Sequence, residues 1–167
     1  MTALEPPQSH FLSAAEGWLE LGNVPEARAE LARIDESFWD HPKVLDVRWS
    51  ISASEKDWPA ALKLARRLVQ LTPESPFGWL HQAYALRRVP EGGVQAAWDF
   101  LLPTLKTFPK VPIIPYNLAC YACQMRQLTK ARELLQRALA VGDKQHIKQI
   151  ALEDTDLQAL WVEIRAF

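Results

Sequence analysis

Between Trp58 and Leu71 the residues Leu62, Ala65, Leu68, Val69 and Leu71 follow the spacing of one helical face. Lys63, Arg66, Arg67 and Gln70 fall largely on the other. Similar segments recur along the chain and predict helices near 10–21, 26–38, 43–54, 59–71, 77–88, 94–107, 113–125 and 129–141. Sustained period-2 alternation is absent between the turns, so no strand is predicted.

The helical segments repeat. Ala27, Ala61, Ala97 and Ala131 are spaced 34, 36 and 34, each with an apolar residue three places before it. Those residues are Val24, Trp58, Val94 and Leu128. Pro25 and Pro59 are 34 apart, where a fixed φ starts a helix and the missing N–H costs nothing. Pro42, Pro76 and Pro112 are spaced 34 and 36. The two extra residues fall in "RRVPEGGVQ", a longer turn. Each unit is therefore a helix pair, and stacking of several pairs is needed to bury a shared core.

A period of 34 with small residues late in the pair and proline at its boundary resembles the tetratricopeptide repeat (TPR). Leu118, Ala119, Ala131, Leu135 and Ala138 carry the likeness in the fourth unit, and Trp79, Ala83, Ala97, Leu101 and Pro109 in the third. Leu45, Ala61, Ala65, Leu68 and Pro73 carry it in the second; Phe11, Ala15, Trp18, Ala27, Leu31 and Ile34 in the first. Trp49 departs from the pattern where a small residue is usual, and Pro115 where Trp is usual. The resemblance implies an all-α fold: a right-handed solenoid of four helix pairs with a C-terminal capping segment. It implies a single domain with units at about 8–41, 42–75, 76–111 and 112–143 and a cap at 144–167. In the cap, Thr155 and Gln158 form a candidate capping box, and Leu157, Leu160, Trp161 and Ile164 are expected to cover the fourth unit.

The resemblance also implies a concave face lined by the first helix of each pair. The third unit places Phe77, Leu80, Tyr84 and Arg87 there, with Arg88 beside them; the fourth places Ile113, Tyr116, Cys120 and Cys123. Aromatic and aliphatic anchors with arginine are what binding hot spots favour. The partner-binding candidates are Phe77, Leu80, Tyr84, Arg87, Arg88, Ile113 and Tyr116. A C-terminal segment folded into the groove is the other expected use of this lining. Asp46 and Ser50 stand where a carboxylate-gripping TPR would have other residues, so chaperone-tail binding is disfavoured. Chain size and tryptophan content also resemble bacterial kinesin light chains, TPR proteins that accompany bacterial tubulin filaments.

Charge changes this picture by adding direction. Net charge is −1 overall, but residues 1–60 carry 5 Lys/Arg against 11 Asp/Glu, and residues 61–150 carry 13 against 5. A basic middle of net +8 thus follows an acidic start of net −6, an arrangement suited to ordinary solvated faces, to steering an acidic partner, or to pairing between copies. Bulk nucleic-acid affinity is not expected from a near-neutral chain. No apolar run approaches the ~18 residues of a membrane span, and the start "MTALEPPQSHFLS" lacks the regions of a secretory signal. With only two cysteines, a reducing cytoplasmic setting is expected.

Candidate chemistry is sparse. Cys120 and Cys123 form a CxxC pair, but a βαβ context and further zinc ligands are missing, so small buried or groove-lining residues are expected. Glu153, Asp154 and Asp156 lack the glycine and distal glutamate of a calcium loop. No phosphate-cradle, zinc-protease or serine-hydrolase motif occurs. The expected function is a non-enzymatic, cofactor-free protein-interaction adaptor. It would use the groove of units 3–4 and the basic middle, with bacterial tubulin filaments as one acidic partner. A self-assembling homo-oligomer is the alternative, and a redox or metal protein using Cys120 and Cys123 a further one.

Overall fold

The computed structural model describes residues 3–166. The chain forms two compact units that meet in sequence at Ala85 and Leu86. The first holds α1 (Gln8–Glu20), α2 (Val24–Leu31), a 3-10 turn (Glu36–Phe38), α3 (Pro42–Ser54), α4 (Trp58–Leu71) and nearly all of α5 (Pro76–Leu86). The second holds α6 (Val94–Leu101), α7 (Thr104–Thr107), α8 (Ile113–Gln124), α9 (Leu128–Val141) and α10 (Lys144–Glu153), then a 3-10 segment (Thr155–Leu160) and α11 (Trp161–Ala166). No strand occurs among the described residues.

The repeat is visible in how the backbone turns. α1, α3 and α8 each end on a residue of positive φ: Gly22 (72°), Lys56 (60°) and Arg126 (59°). The next N–H then reaches back five residues: Asn23 to Trp18, Asp57 to Ser52 and Gln127 to Ala122, each at 2.8 Å. These are Schellman turns, which satisfy carbonyls left open at a helix end. Two of them flow straight into the next helix. The Asn23 and Asp57 side chains accept from Glu26 N–H (3.4 Å) and Ala60 N–H (3.1 Å), with Pro25 and Pro59 in the first turn.

Packing follows the small residues. Ala27, Ala61, Ala97 and Ala131 are all fully buried, so the alanine column marks helix contacts. In the first unit Leu12, Ala15, Ala27, Ile34, Val44, Val47 and Ile51 form one core cluster, with Phe11, Trp18 and Phe38 packed at its edge. In the second unit α8 lies between α6, α9 and the C-terminal 3-10 segment and buries most of its length. Pro115 is tolerated in α8 because it sits in the first turn, where its missing N–H is not needed.

Four local expectations differ. α2 stops at Leu31 rather than near residue 38, because Arg33 and Ile34 tighten to bonds three residues back (3.1 and 3.2 Å) and Asp35 restarts the chain as a 3-10 turn. The helix expected over 94–107 breaks after Leu101, where Pro103 cannot donate and its ring crowds the preceding turn. Beyond Gly142 there is a full helix, α10, capped by Asp143 on Gln145 N–H (2.9 Å) and His146 N–H (3.1 Å). Asp154, not Thr155, caps the following 3-10 segment, accepting from Asp156 N–H at 2.9 Å. Leu157, Leu160 and Ile164 are buried as expected of a cover, and the Trp161 indole donates to the Ala151 carbonyl at 3.0 Å.

Candidate interaction surfaces

In the first unit, α5 carries an exposed aromatic pair. Phe77 is 64% exposed and Tyr84 36%, two turns apart, with Leu80 half-buried between them. Tyr84 is held in place by neighbours. Its ring meets Trp49 of α3 edge-on at 6.0 Å and Trp58 of α4 at 5.9 Å. Trp49 in turn stacks flat on His81 at 3.7 Å, and His81 Nε2 lies 2.6 Å from the Asp46 carboxylate. At this departure from the repeat pattern the Trp49 indole bridges α3 to α5 through His81 and Tyr84. The sequence does not mark His81 and Asp46 as partners, because they come together only when two helices pack. Trp39 is exposed, its indole N–H on the Ile34 carbonyl at 3.3 Å.

In the second unit, the corresponding α8 residues are covered by the chain itself. Leu157 and Leu160 of the 3-10 segment are 0% and 1% exposed, and Tyr116 of α8 is 6% exposed. The Tyr116 hydroxyl donates to Asp154 Oδ2 at 3.0 Å and the Cys120 thiol to the same oxygen at 3.4 Å. Arg87 pairs with Asp156 Oδ2 at 2.8 Å, its guanidinium 5.4 Å from the Tyr121 ring centre, and Gln124 donates to the other Asp156 oxygen. An acidic turn, Asp154 and Asp156, is thereby hooked onto α8.

This node has the composition of a metal site, since Cys120, Asp154 and Asp156 bring ligand atoms within 4.8 Å of one another. The donor set does not fit one. Both oxygens of each carboxylate already accept hydrogen bonds. Arg87 supplies the positive charge that an ion would bring. Burial, reinforced by Asp154, pushes the Cys120 thiol far up, which keeps it a protonated donor. Burial likewise pushes Cys123 up to about 11, against the weaker downward pull of Arg132. Neither thiol has the lowered pKa of a reactive cysteine, and both are free.

The seven residues expected to bind a partner therefore have different surroundings. Phe77, Leu80 and Tyr84 share one face of α5 in the first unit. In the second, Arg87 and Tyr116 join the acidic hook, and Ile113 is exposed at the start of α8. Arg88 is half-buried. No helix among the described residues is long and apolar enough to cross a membrane.

No family model matches the sequence, and no curated protein matches it. Solved structures do. TTC0263, a thermophilic TPR protein of Thermus thermophilus, is similar with a TM-score of 0.76 and 18% identity, over 94% of this chain and 82% of that one. MamA 41-end from Desulfovibrio magneticus RS-1 is similar with a TM-score of 0.68 and 16% identity, over 98% of this chain and 96% of that one. A MamA RS-1 ArsTM double mutant gives 0.67 and 18%, over 98% and 93%. The all-helical fold is thus that of TPR proteins. The likeness to bacterial kinesin light chains is not shown by these neighbours.

Proposed function

We propose that the chain is a non-catalytic protein-interaction adaptor whose partner docks on the α5 face of the first unit, around Phe77, Leu80 and Tyr84. The observation that carries this reading is the exposed Phe77–Tyr84 pair, with Tyr84 braced by Trp49 and Trp58. A braced aromatic loses little entropy on binding, and such anchors commonly contribute ~2 kcal/mol or more at an interface. The hook over α8 supports the same choice, because Tyr116 is already occupied by the chain's own Asp154. The net charge of +8 over residues 61–150 favours an acidic partner, which it would steer at low ionic strength. A bacterial tubulin filament is one acidic polymer of that kind.

The test is capture from native lysate on immobilised protein, compared with Phe77→Ala and Tyr84→Ala. These exposed positions should lose specific partners while keeping the helical circular-dichroism signal. An unchanged partner list would reject the surface. For tubulin filaments, co-sedimentation should weaken from low to high salt; binding indifferent to salt would remove charge steering. A second reading, self-association through the acidic start and basic middle, rests on the same charge asymmetry. It predicts light scattering that grows with concentration, and a strict monomer would eliminate it.

A further inference from the structure

The first unit contains a cleft of about 810 Å³ that the α5 face does not use. Its floor is α3, with Leu45 and Ile51; its walls are α2, with Leu31, and α4, with Leu64. The ends are tied. Arg28 of α2 pairs with Glu55 just after α3, and Arg67 of α4 grips Asp40 just before it, at 3.1 and 2.5 Å. Between these pairs the cleft follows α3 from residue 45 to residue 55, about 15 Å at helical rise. That length spans about three turns of a helix. These are the dimensions of a trough that receives one face of a helix.

Its charge is one-sided. Arg28, Arg48, Lys63, Arg66 and Arg67 line it against Asp40, Glu55 and Asp57, a net of +2. Asp40 and Glu55 are spent on the end pairs together with Arg67 and Arg28, and Asp57 caps α4 through Ala60 N–H, which leaves Arg48, Lys63 and Arg66 as the cations outside those ion pairs. Lys63 and Arg66 stand one turn apart on α4 with no hydrogen bond or ion pair among the described residues. Leu45 and Ile51 are already almost wholly buried, so apolar contact adds mainly at half-buried Leu31 and Leu64. Recognition therefore leans on charge, with a narrow apolar seam setting the orientation.

We infer that this trough is a second docking site, taking an acidic amphipathic helix of a partner protein. The helix lays leucine-sized side chains against Leu31 and Leu64 and sets carboxylates opposite Lys63 and Arg66, as in helix-in-groove recognition. The site is independent of the α5 face.

Fluorescence anisotropy on the full chain tests it with a labelled peptide of about 14 residues, leucines at i, i+3, i+4 and i+7 and glutamates on both flanks. A scrambled peptide of the same composition is the control. The amphipathic peptide should bind more tightly than its scramble, and weaken several-fold from about 50 mM to about 300 mM salt. Lys63→Glu with Arg66→Glu should weaken it about tenfold or more, Lys63→Ala with Arg66→Ala by less, and Tyr84→Ala should leave it unchanged. Loss in Tyr84→Ala but not in the α4 variants would overturn this site while leaving the α5 reading standing. Equal binding of the scramble, or of single-stranded DNA of matched charge, would reduce the trough to a nonspecific cationic surface and overturn the proposal. So would a concentration-dependent dimer that the α4 variants abolish while the peptide fails to bind, since the occupant would then be a second copy.

Discussion

Gly78 offers a test in which two known effects oppose each other. It lies in the first turn of α5, beside Phe77 and against Leu68 and Val69 of α4. In a helix, replacing glycine by alanine normally stabilises by about 0.5–1 kcal/mol, because less backbone entropy is lost on folding. At Gly78, however, an added Cβ would stand 2.9 Å from Val69 N and 3.1 Å from both the carbonyl carbon and Cβ of Leu68. Two of these are backbone atoms of α4, which cannot swing aside as a side-chain tip could. Overpacking of this kind costs about 1–3 kcal/mol, so Gly78→Ala should be destabilising by up to about 2.5 kcal/mol after the propensity gain is deducted. Gly17, within α1, has nothing within 4 Å of the corresponding Cβ. Gly17→Ala should therefore stabilise by about 0.5–1 kcal/mol. Urea unfolding followed by far-ultraviolet circular dichroism measures both, read as opposite shifts of the midpoint at unchanged slope. If both variants gain stability, α5 does not approach α4 as closely as described, and the placement of Phe77 and Tyr84 on α4's neighbour must be revised.

The left-handed residues predict gains where glycine is absent: Lys56→Gly and Arg126→Gly should each stabilise by up to about 1 kcal/mol in thermal melts, and a loss at both would deny the Schellman turns. Leu157→Ala removes a fully buried side chain from the hook over α8 and should cost about 2–5 kcal/mol in denaturant unfolding; a cost under about 1 kcal/mol would mean that the hook is loosely held. The raised thiols predict a direction with pH. Cys123 keeps its proton to about 11 when folded but titrates near 9.0 when unfolded, so stability is full below about pH 9 and falls as pH climbs from there toward 11. Melts at rising pH should show this slope reduced in Cys120→Ala with Cys123→Ala, and an identical slope would show that the thiols are not buried as described.

The helix pairs were legible because each needs a repeated local signal. The alanine column, the prolines at helix starts and the 34-residue spacing all report one-dimensional constraints. Each can be met within a few turns of chain. Gly22, Lys56 and Arg126 carry the same period in φ, yet only Gly22 betrays it by residue type, since Lys and Arg in the left-handed region leave no mark in composition. The cover at the C-terminus was legible as a run of apolar residues, but its spacing points to Thr155 as the cap where the fold uses Asp154. Both residues can cap, and backbone geometry decides between them.

The candidate surfaces divide in the same way. By itself the sequence determined that the chain is helical, paired and repetitive, and that Phe77 and Tyr84 share a helix face. Those properties follow from spacing along one helix. Only the tertiary structure decided that Asp46 meets His81, that Asp154 and Asp156 close over Tyr116, Cys120 and Arg87, and that α2, α3 and α4 leave a charged trough between them. Such contacts join residues far apart in the chain. Their formation depends on how closely whole helices approach, a quantity set by the sum of many side-chain volumes and by no single stretch of sequence.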